Sequence, residues 1–179
     1  MFRDMKKDAA AAARYAPKRV RVVLVAEAPP CERERHFYFE DAGAPDTLWL
    51  ETMKAAFGDL LPKAAKQTRA EKALWLRRFA DAGGVMLDVV QDGLPDGMSE
   101  RERDARICAA APGAAARIAT LQPELVVLVK KSVWEGFSPA ARDARLPLRQ
   151  PGPIPFPGSG NQGRFHAAML ELGFARYFV

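Results

Sequence analysis

Three short stretches of the chain are almost continuously apolar, and longer stretches of mixed apolar and polar positions separate them. The apolar runs cover Val20 to Ala26, Val85 to Val90 and Leu125 to Val129. Apolar runs of this length that do not alternate with polar residues are typical of parallel strands covered on both faces. A fourth extended segment is predicted at Pro153 to Phe156, where the prolines exclude a helix.

Helical patterns occupy the stretches between the predicted strands. They cover Pro45 to Phe57, Arg69 to Ala82, Ser99 to Leu121 with an interruption at Pro112-Gly113, and Gln162 to Leu172, while residues 1–19 are predicted as a basic N-terminal helix. Alternating strands and helices predict a single domain over residues 1–179. Its expected fold class is α/β, a three-layer α/β/α sandwich with a central, mainly parallel four-stranded sheet. Ligands of such folds bind at the carboxyl ends of the strands.

Charge and cysteine content narrow the classes of function. The chain has 27 Lys and Arg against 22 Asp and Glu, a net charge of +5, which favours a polyanionic partner. Cys31 and Cys108 are far apart and lack metal-ligand spacing, so no disulfide framework, zinc site or iron–sulfur site is expected. We therefore expect a monomer in a reducing cytoplasm. The absence of a long apolar segment predicts a soluble, unprocessed protein with no membrane contact.

The first predicted strand ends in a carboxylate and a rigid turn, at residues 26–30 with the sequence Ala-Glu-Ala-Pro-Pro. Glu27 could be a loop residue that caps a turn or pairs with an arginine, but the double proline favours a functional role. The segment resembles the first motif of the uracil-DNA glycosylase superfamily, especially the Gly-Glu-Ala-Pro-Gly form of its thermostable branches. The resemblance implies that Glu27 positions the attacking water or supports the cationic sugar, and that Ala28 contacts the substrate. A carboxylate suits the oxocarbenium-like state of glycosidic cleavage.

An aromatic cluster at residues 36–39, His-Phe-Tyr-Phe, interrupts a charged stretch. Core packing and function are both open interpretations of it. The resemblance implies that an aromatic side chain here stacks on the flipped base. Phe39 and then Phe37 are the candidates, and both point the same way if the loop is extended. His36 is a candidate general base or phosphate contact, and a solvated or hydrogen-bonded histidine is the alternative.

The second predicted strand contains Asp88 at the position where the superfamily carries an asparagine that recognises the uracil edge. The resemblance implies that Asp88 contacts the base. An asparagine amide both donates and accepts hydrogen bonds, whereas an ionised aspartate only accepts them, so selectivity for uracil requires a protonated Asp88 or a backbone donor. The alternative is an aspartate that caps the turn after the strand.

The third predicted strand ends in Lys130 and Lys131, and Ser132 begins a helix. Basic side chains at the edge of the expected pocket favour contact with nucleic-acid phosphates. Lysines after a buried strand are also common as solvated caps. We assign Lys130, Lys131 and Ser132 to DNA binding as a prediction.

Small and polar residues dominate the segment that follows the fourth extended run, where exposed amides suit close approach by a phosphate backbone. Residues 156–159, Phe-Pro-Gly-Ser, resemble the second motif of the superfamily, usually His-Pro-Ser-Pro, which enters the minor groove. Phe156 then stands where several branches have a histidine that stabilises the departing base, and Asn161 is a candidate to supply that contribution. The predicted DNA contacts are Pro157, Gly158, Ser159 and Arg164.

The sequence thus favours a monofunctional DNA glycosylase that flips uracil or another deaminated base out of DNA and hydrolyses its glycosidic bond. A non-catalytic module that binds nucleic acid on the same fold is the alternative. A nucleotide-processing small-molecule enzyme fits worst, because the first strand precedes neither a dinucleotide fingerprint nor a P-loop. The chain lacks the four cysteines of the iron–sulfur branches, so we expect no metal or other cofactor.

Overall fold

The computed structural model describes residues 5–30, 36–40, 46–95 and 97–178. Within these ranges, the strands β1 (Val22–Ala26), β2 (Gly84–Asp88) and β3 (Leu125–Leu128) form one parallel sheet in the order β2-β1-β3. The helices are α1 (Met5–Ala13), α2 (Thr47–Phe57), α3 (Ala65–Ala70), α4 (Lys72–Asp81), α5 (Glu100–Thr120), α6 (Lys131–Asp143) and α7 (Gln162–Glu171). Short 3₁₀ helices cover Gly58–Leu60 and Phe174–Tyr177.

The central strand β1 is buried on both faces. Val22 and Leu24 pack with α1, α2, α4 and α7, whereas Val23 and Val25 pack with α5 and α6. Successive strand side chains point to opposite faces, so both faces need apolar side chains when helices cover each of them. This arrangement explains the continuous apolar runs, and the predicted α/β class with helices on both faces of the sheet is confirmed.

The predicted sheet is wrong in one respect, because the described residues contain three strands and not four. Pro153 to Phe156 is extended, but it makes a single parallel bridge between Ile154 and Val129. Pro153 and Pro155 have no N–H group, so the segment cannot continue a ladder of hydrogen bonds. The carbonyl oxygen of Ile154 still accepts a bond from the Lys130 N–H, at 2.8 Å. The segment is therefore tied to the end of β3 without being a strand.

Two helix predictions also need correction. α5 continues through Pro112-Gly113 without the predicted interruption. Pro112 is exposed, and the buried Ala111, Ala114 and Ala115 keep the helix packed on the sheet around it. The helix predicted from Arg69 to Ala82 is divided, because α3 ends at Ala70 and α4 begins at Lys72.

The termini of the remaining helices lie close to the predicted positions. α1 covers part of the predicted N-terminal helix, whose residues 1–4 lie outside the described residues. α2 begins at Thr47, and the predicted start at Pro45 lies outside the described residues. In the part of the chain that the structure describes, no helix is both long and apolar enough to cross a membrane.

The register of the sheet brings three charged residues to one edge. Ala26 is paired with Asp88, and Val25 is paired with Leu128, so the carboxyl ends of all three strands lie side by side. Glu27 follows β1, Asp88 ends β2 and Lys130 follows β3. α5 and α6 come after β2 and β3 in the chain, and their first turns begin near this edge.

Candidate functional site

Glu27 occupies a fixed position at the carboxyl edge of the sheet. The pairing of β1 with β2 continues past the strand ends, because the Val89 N–H donates to the Ala26 carbonyl oxygen at 2.9 Å and the Val90 N–H donates to that of Glu27 at 3.0 Å. The Glu27 side chain is buried, with 9% of its surface exposed. These hydrogen bonds fix the backbone of Glu27, and its carboxylate is therefore held in a buried position at the carboxyl edge of the sheet.

Two cations and one hydroxyl surround the Glu27 carboxylate. Lys130 Nζ donates a hydrogen bond to Oε2, and Ser132 Oγ lies 3.2 Å from the same oxygen. Arg103 Nε lies 3.3 Å from Oε1, an ion-pair distance at which the two groups are not aligned for a hydrogen bond. A buried carboxylate is stable in an ionised form only when it is paired in this way. Glu27 is thus the centre of a charged network.

Lys130 has an unusual backbone conformation, with φ +87° and ψ 143°. L-residues other than glycine rarely adopt this region, and such a conformation costs about 1–3 kcal/mol. Two backbone bonds hold it: the Lys130 N–H donates to Ile154, and the Lys130 carbonyl oxygen accepts from the Trp134 N–H at 3.1 Å. This conformation joins β3 to α6 and directs the ammonium group to Glu27.

A cavity of about 580 Å³ opens at the carboxyl edge of the sheet, and we call it the strand-end cavity. Its volume lies within the range of roughly 300–1,000 Å³ that is usual for small-molecule sites. Its lining includes seven of the predicted substrate-binding, catalytic or DNA-binding residues: Glu27, Ala28, Phe37, Asp88, Lys130, Gly158 and Ser159. Half of the fourteen predicted site residues therefore line one cavity.

The aromatic segment at residues 36–39 forms a turn instead of an extended loop, because the Phe39 N–H donates to the His36 carbonyl oxygen at 3.3 Å. The two phenylalanines consequently face different surroundings. Phe37 lines the strand-end cavity and packs near Phe79, with ring centroids 6.0 Å apart. Phe39 instead makes an edge contact with the His36 ring. Of the two candidates for base stacking, Phe37 is the one that lines the cavity.

His36 lies in a second, smaller cavity of about 330 Å³ beside β2, which we call the edge cavity. Its Nδ1 accepts a hydrogen bond from the Tyr38 N–H at 3.3 Å, and its carbonyl oxygen accepts one from Lys72 Nζ at 3.3 Å. Asp88 lines both cavities, whereas His36 does not line the strand-end cavity. The structure therefore does not bring His36 together with Glu27.

Tyr38 occupies the outer edge of β2. Its hydroxyl accepts a hydrogen bond from the Met86 N–H at 2.7 Å and donates one to the Met86 carbonyl oxygen at 3.0 Å. These are the two backbone groups that a further strand would pair with. Burial raises the pKa of the Tyr38 hydroxyl, so it stays protonated and keeps its donor.

Five further predicted substrate or DNA contacts have different surroundings, and of these only Ser159 lines the strand-end cavity. Lys131 is exposed and pairs with Glu135 at 3.5 Å. Asn161 donates from both its side chain and its backbone to the Gly158 carbonyl oxygen, at 3.2 and 3.1 Å. Arg164 is exposed on α7. Pro157 is buried, and Ser159 has a left-handed φ of +52°.

The sequence reasoning missed Arg103. The sequence did indicate where α5 begins, because Ser99 and Glu102 form the predicted capping box. The Glu102 N–H donates to Ser99 Oγ, and the Ser99 N–H donates to the Glu102 carboxylate. A helix that follows a parallel strand begins at the carboxyl edge of the sheet. Charged residues in the first turns of α5 are therefore candidates for the site, and Arg103 is the one that reaches Glu27.

A buried ion pair contacts the aromatic segment at residues 36–39. Lys72 Nζ lies 2.6 Å from Asp46 Oδ2, both side chains are about 1% exposed, and Arg69 Nε lies 3.0 Å from the other oxygen. Burial lowers the pKa of Lys72, and the neighbouring Asp46 opposes that change. Because Lys72 also donates to His36, the pair connects α4 and the start of α2 to the aromatic segment.

A second polar contact joins α2 to α7. His166 Nε2 lies 2.6 Å from Glu51 Oε2, and Lys54 Nζ lies 2.8 Å from Glu51 Oε1. Burial by itself would raise the pKa of Glu51, but the hydrogen bonds from Lys54 and His166 bring it below its usual value. Among the described residues, no group of three or more His, Cys, Asp and Glu side chains is arranged to hold a metal ion.

Comparisons with protein-family models, with curated proteins and with solved structures find no match to this chain.

Proposed function

We propose that this chain is a DNA glycosylase of the uracil-DNA glycosylase type, which hydrolyses the N-glycosidic bond of uracil or another deaminated base flipped out of DNA. The observation that carries the proposal is the strand-end cavity, in which Glu27, Asp88 and Phe37 meet at the carboxyl edge of a parallel sheet. Ligands of this fold class bind at that edge. The motif resemblance at residues 26–30 supports the same activity.

The strand-end cavity has the size and lining that a flipped base needs. Its volume of about 580 Å³ accommodates a base with its attached sugar. Phe37 lines the cavity with a small part of its ring, since 2% of its surface is exposed, and contact with an aromatic ring is how enzymes of this kind hold an extruded base. Asp88 offers a carboxylate that accepts hydrogen bonds from ring N–H groups or an amino group on the base.

Glu27 supplies the charge that bond cleavage requires. As the bond between C1′ and the base nitrogen breaks, its electron pair leaves with the base, and the sugar acquires positive charge. The Glu27 carboxylate stabilises this charge and orients the water whose oxygen bonds to C1′. The water loses one proton and the departing base gains one, so the products are the free base and an abasic sugar.

Exposed basic residues and backbone amides around the cavity suit the DNA backbone. The chain has a net charge of +5, and Lys131 and Arg164 are exposed close to the ends of β3 and of the loop after Phe156. Such side chains contact phosphates and make affinity dependent on salt. DNA is therefore the partner that we propose, with the strand-end cavity receiving one nucleotide from it.

A non-catalytic binding module is the second candidate, and one observation favours it. Both oxygens of Glu27 are in contact with a cation, Oε2 with Lys130 and Oε1 with Arg103. A carboxylate held in this way has fewer free lone pairs for a water molecule. On this alternative, the cavity holds a base or a nucleotide and releases it unchanged.

The test is release of the base from oligonucleotides that contain uracil, hypoxanthine or xanthine, followed by hot alkali to cleave abasic sites. We expect the wild-type protein to release at least one of these bases under single-turnover conditions. Glu27→Gln should reduce the rate by ~10²-fold or more, the usual size for a lost catalytic carboxylate. Glu171→Gln, an exposed glutamate on α7, is the matched control and should retain the wild-type rate.

One result would contradict the glycosylase, and a second would contradict only the role of Glu27. Wild-type protein that binds these oligonucleotides without releasing a base supports the binding module instead. Equal rates for wild type and Glu27→Gln would remove Glu27 from the chemistry. Oligonucleotide affinity, measured in parallel, separates a loss of binding from a loss of the chemical step.

A further inference from the structure

The strand-end cavity contains a proton acceptor and a proton donor in direct contact. Glu27 Oε2 accepts a hydrogen bond from Lys130 Nζ, and both residues line the cavity. The Lys130 side chain is 37% exposed, so its ammonium group can also reach a molecule inside the cavity. Base release needs both functions, because water must lose a proton and the departing base must gain one.

We propose that Lys130 is the general acid of base release and that its contact with Glu27 returns the proton. This inference rests on the proposed glycosylase activity. The bond from C1′ to the base nitrogen breaks with its electron pair on the base, and the Lys130 ammonium transfers a proton to that base. The oxygen of water bonds to C1′, and its proton passes to the Glu27 carboxylate. Glu27 then gives this proton to the neutral Lys130 amine, which restores both groups.

Lys130 fits this role better than Arg103, although both are cations beside Glu27. A guanidinium group does not give up its proton in a protein, whereas a lysine ammonium can. Arg103 Nε lies 3.3 Å from Glu27 Oε1, opposite the oxygen that Lys130 contacts. Arg103 is thus a positioning residue on the second carboxylate oxygen of Glu27, and Lys130 is the residue that exchanges a proton.

The backbone of Lys130 supports a role for its side chain. With φ at +87°, position 130 suits glycine, which adopts this conformation without strain. The two backbone hydrogen bonds of residue 130, to Ile154 and from Trp134, need no side chain. A glycine would therefore satisfy the fold at this position, and the lysine is explained by what its ammonium group contacts.

The experiment compares leaving groups of different acidity. Single-turnover release is measured from oligonucleotides that carry deoxyuridine or 5-fluorodeoxyuridine, because the fluorine stabilises the base anion and lessens its need for a proton. Lys130→Gly relieves the backbone conformation and should stay folded, which thermal denaturation checks. Lys130→Arg keeps the charge but cannot give a proton. Lys66→Met removes one exposed positive charge from α3 and is the control.

We expect Lys130→Gly and Lys130→Arg to release uracil ~10²-fold more slowly than wild type, the usual size for a lost general acid. Their loss on 5-fluorouracil should be at least ~10-fold smaller, since general-acid catalysis matters less for a better leaving group. Lys66→Met should behave as wild type on both substrates.

Equal losses of rate on both substrates would show that Lys130 only supports the site. A fully active Lys130→Arg would show that the positive charge of residue 130 is sufficient. Either result overturns the inference without contradicting the proposed glycosylase activity. Wild-type protein that releases neither uracil nor 5-fluorouracil overturns this inference, whereas wild-type protein that releases none of uracil, hypoxanthine and xanthine contradicts the proposed function itself.

Discussion

Tyr38→Phe removes a single oxygen atom from a side chain that is 4% exposed, and it tests how the open edge of β2 is held. That oxygen satisfies both backbone groups of Met86, accepting from its N–H at 2.7 Å and donating to its carbonyl at 3.0 Å. Phenylalanine keeps the ring and its packing. The substitution therefore leaves two backbone groups of a strand without their partner.

The expected cost follows from the number of groups left unpaired. A buried polar group that loses its partner costs about 1–3 kcal/mol, and two groups are affected, so we expect Tyr38→Phe to lower the free energy of unfolding by about 2–6 kcal/mol. Whole domains are stable by only about 5–15 kcal/mol, so this is a large fraction of the total.

Urea denaturation of the wild type and the variant measures this difference. Tyr15→Phe is the matched control, because its ring stacks on Tyr38 with centroids 6.4 Å apart while its hydroxyl bonds Glu40 near the surface. The control should lose about 1.5–3 kcal/mol, the value of a hydrogen bond to a charged group, but it leaves both backbone groups of Met86 paired with Tyr38. Hydrogen exchange at the Met86 amide should accelerate in Tyr38→Phe alone. Exchange at the Met86 amide that is as slow in Tyr38→Phe as in wild type would refute the assignment of Tyr38 as the cap of β2.

Two further predictions concern the polar contacts away from the strand-end cavity. Lys72→Met leaves buried Asp46 without its closest cation and should lower the free energy of unfolding by about 3–5 kcal/mol. Adding Asp46→Asn should recover part of this loss in urea denaturation, and no recovery would contradict the ion pair. The folded-state pKa of Glu51 is lowered, so its contribution to stability is complete above its unfolded pKa of about 4.3 and is lost as the pH falls through the lowered value. Wild type should consequently lose more stability than Glu51→Gln between neutral pH and pH ~3, and parallel curves would show that the contacts with Lys54 and His166 have no such effect.

The charged residues at the strand ends could be predicted because the pattern that defines a buried parallel strand also defines where it ends. The apolar runs finish close to Glu27, Asp88 and Lys130, and parallel strands bring their carboxyl ends to one edge. That Lys130 contacts Glu27 could not be predicted in the same way. The contact depends on the positive φ of residue 130, and a lysine at this position gives no indication of a positive φ.

The aromatic segment shows where local sequence reasoning stops. An extended loop would put Phe37 and Phe39 on one side, but the tertiary contacts of the segment impose a turn. Lys72 binds the His36 carbonyl oxygen, and the Tyr38 hydroxyl binds Met86 of β2. Both partners lie more than thirty residues away in the chain. The fourth strand fails for a simpler reason, because prolines cannot donate the hydrogen bonds of a ladder.

The backbone of Lys130 also bears on how this sequence can change over time. Most substitutions destabilise a fold, but at a φ of +87° a change to glycine relieves backbone strain. A lineage that no longer uses the strand-end cavity is free to accept that replacement, since it relieves strain and removes a long side chain. Under the proposed role, the lysine at position 130 is kept for its ammonium group in spite of the backbone strain, and loss of that role would leave glycine as the residue that relieves the strain.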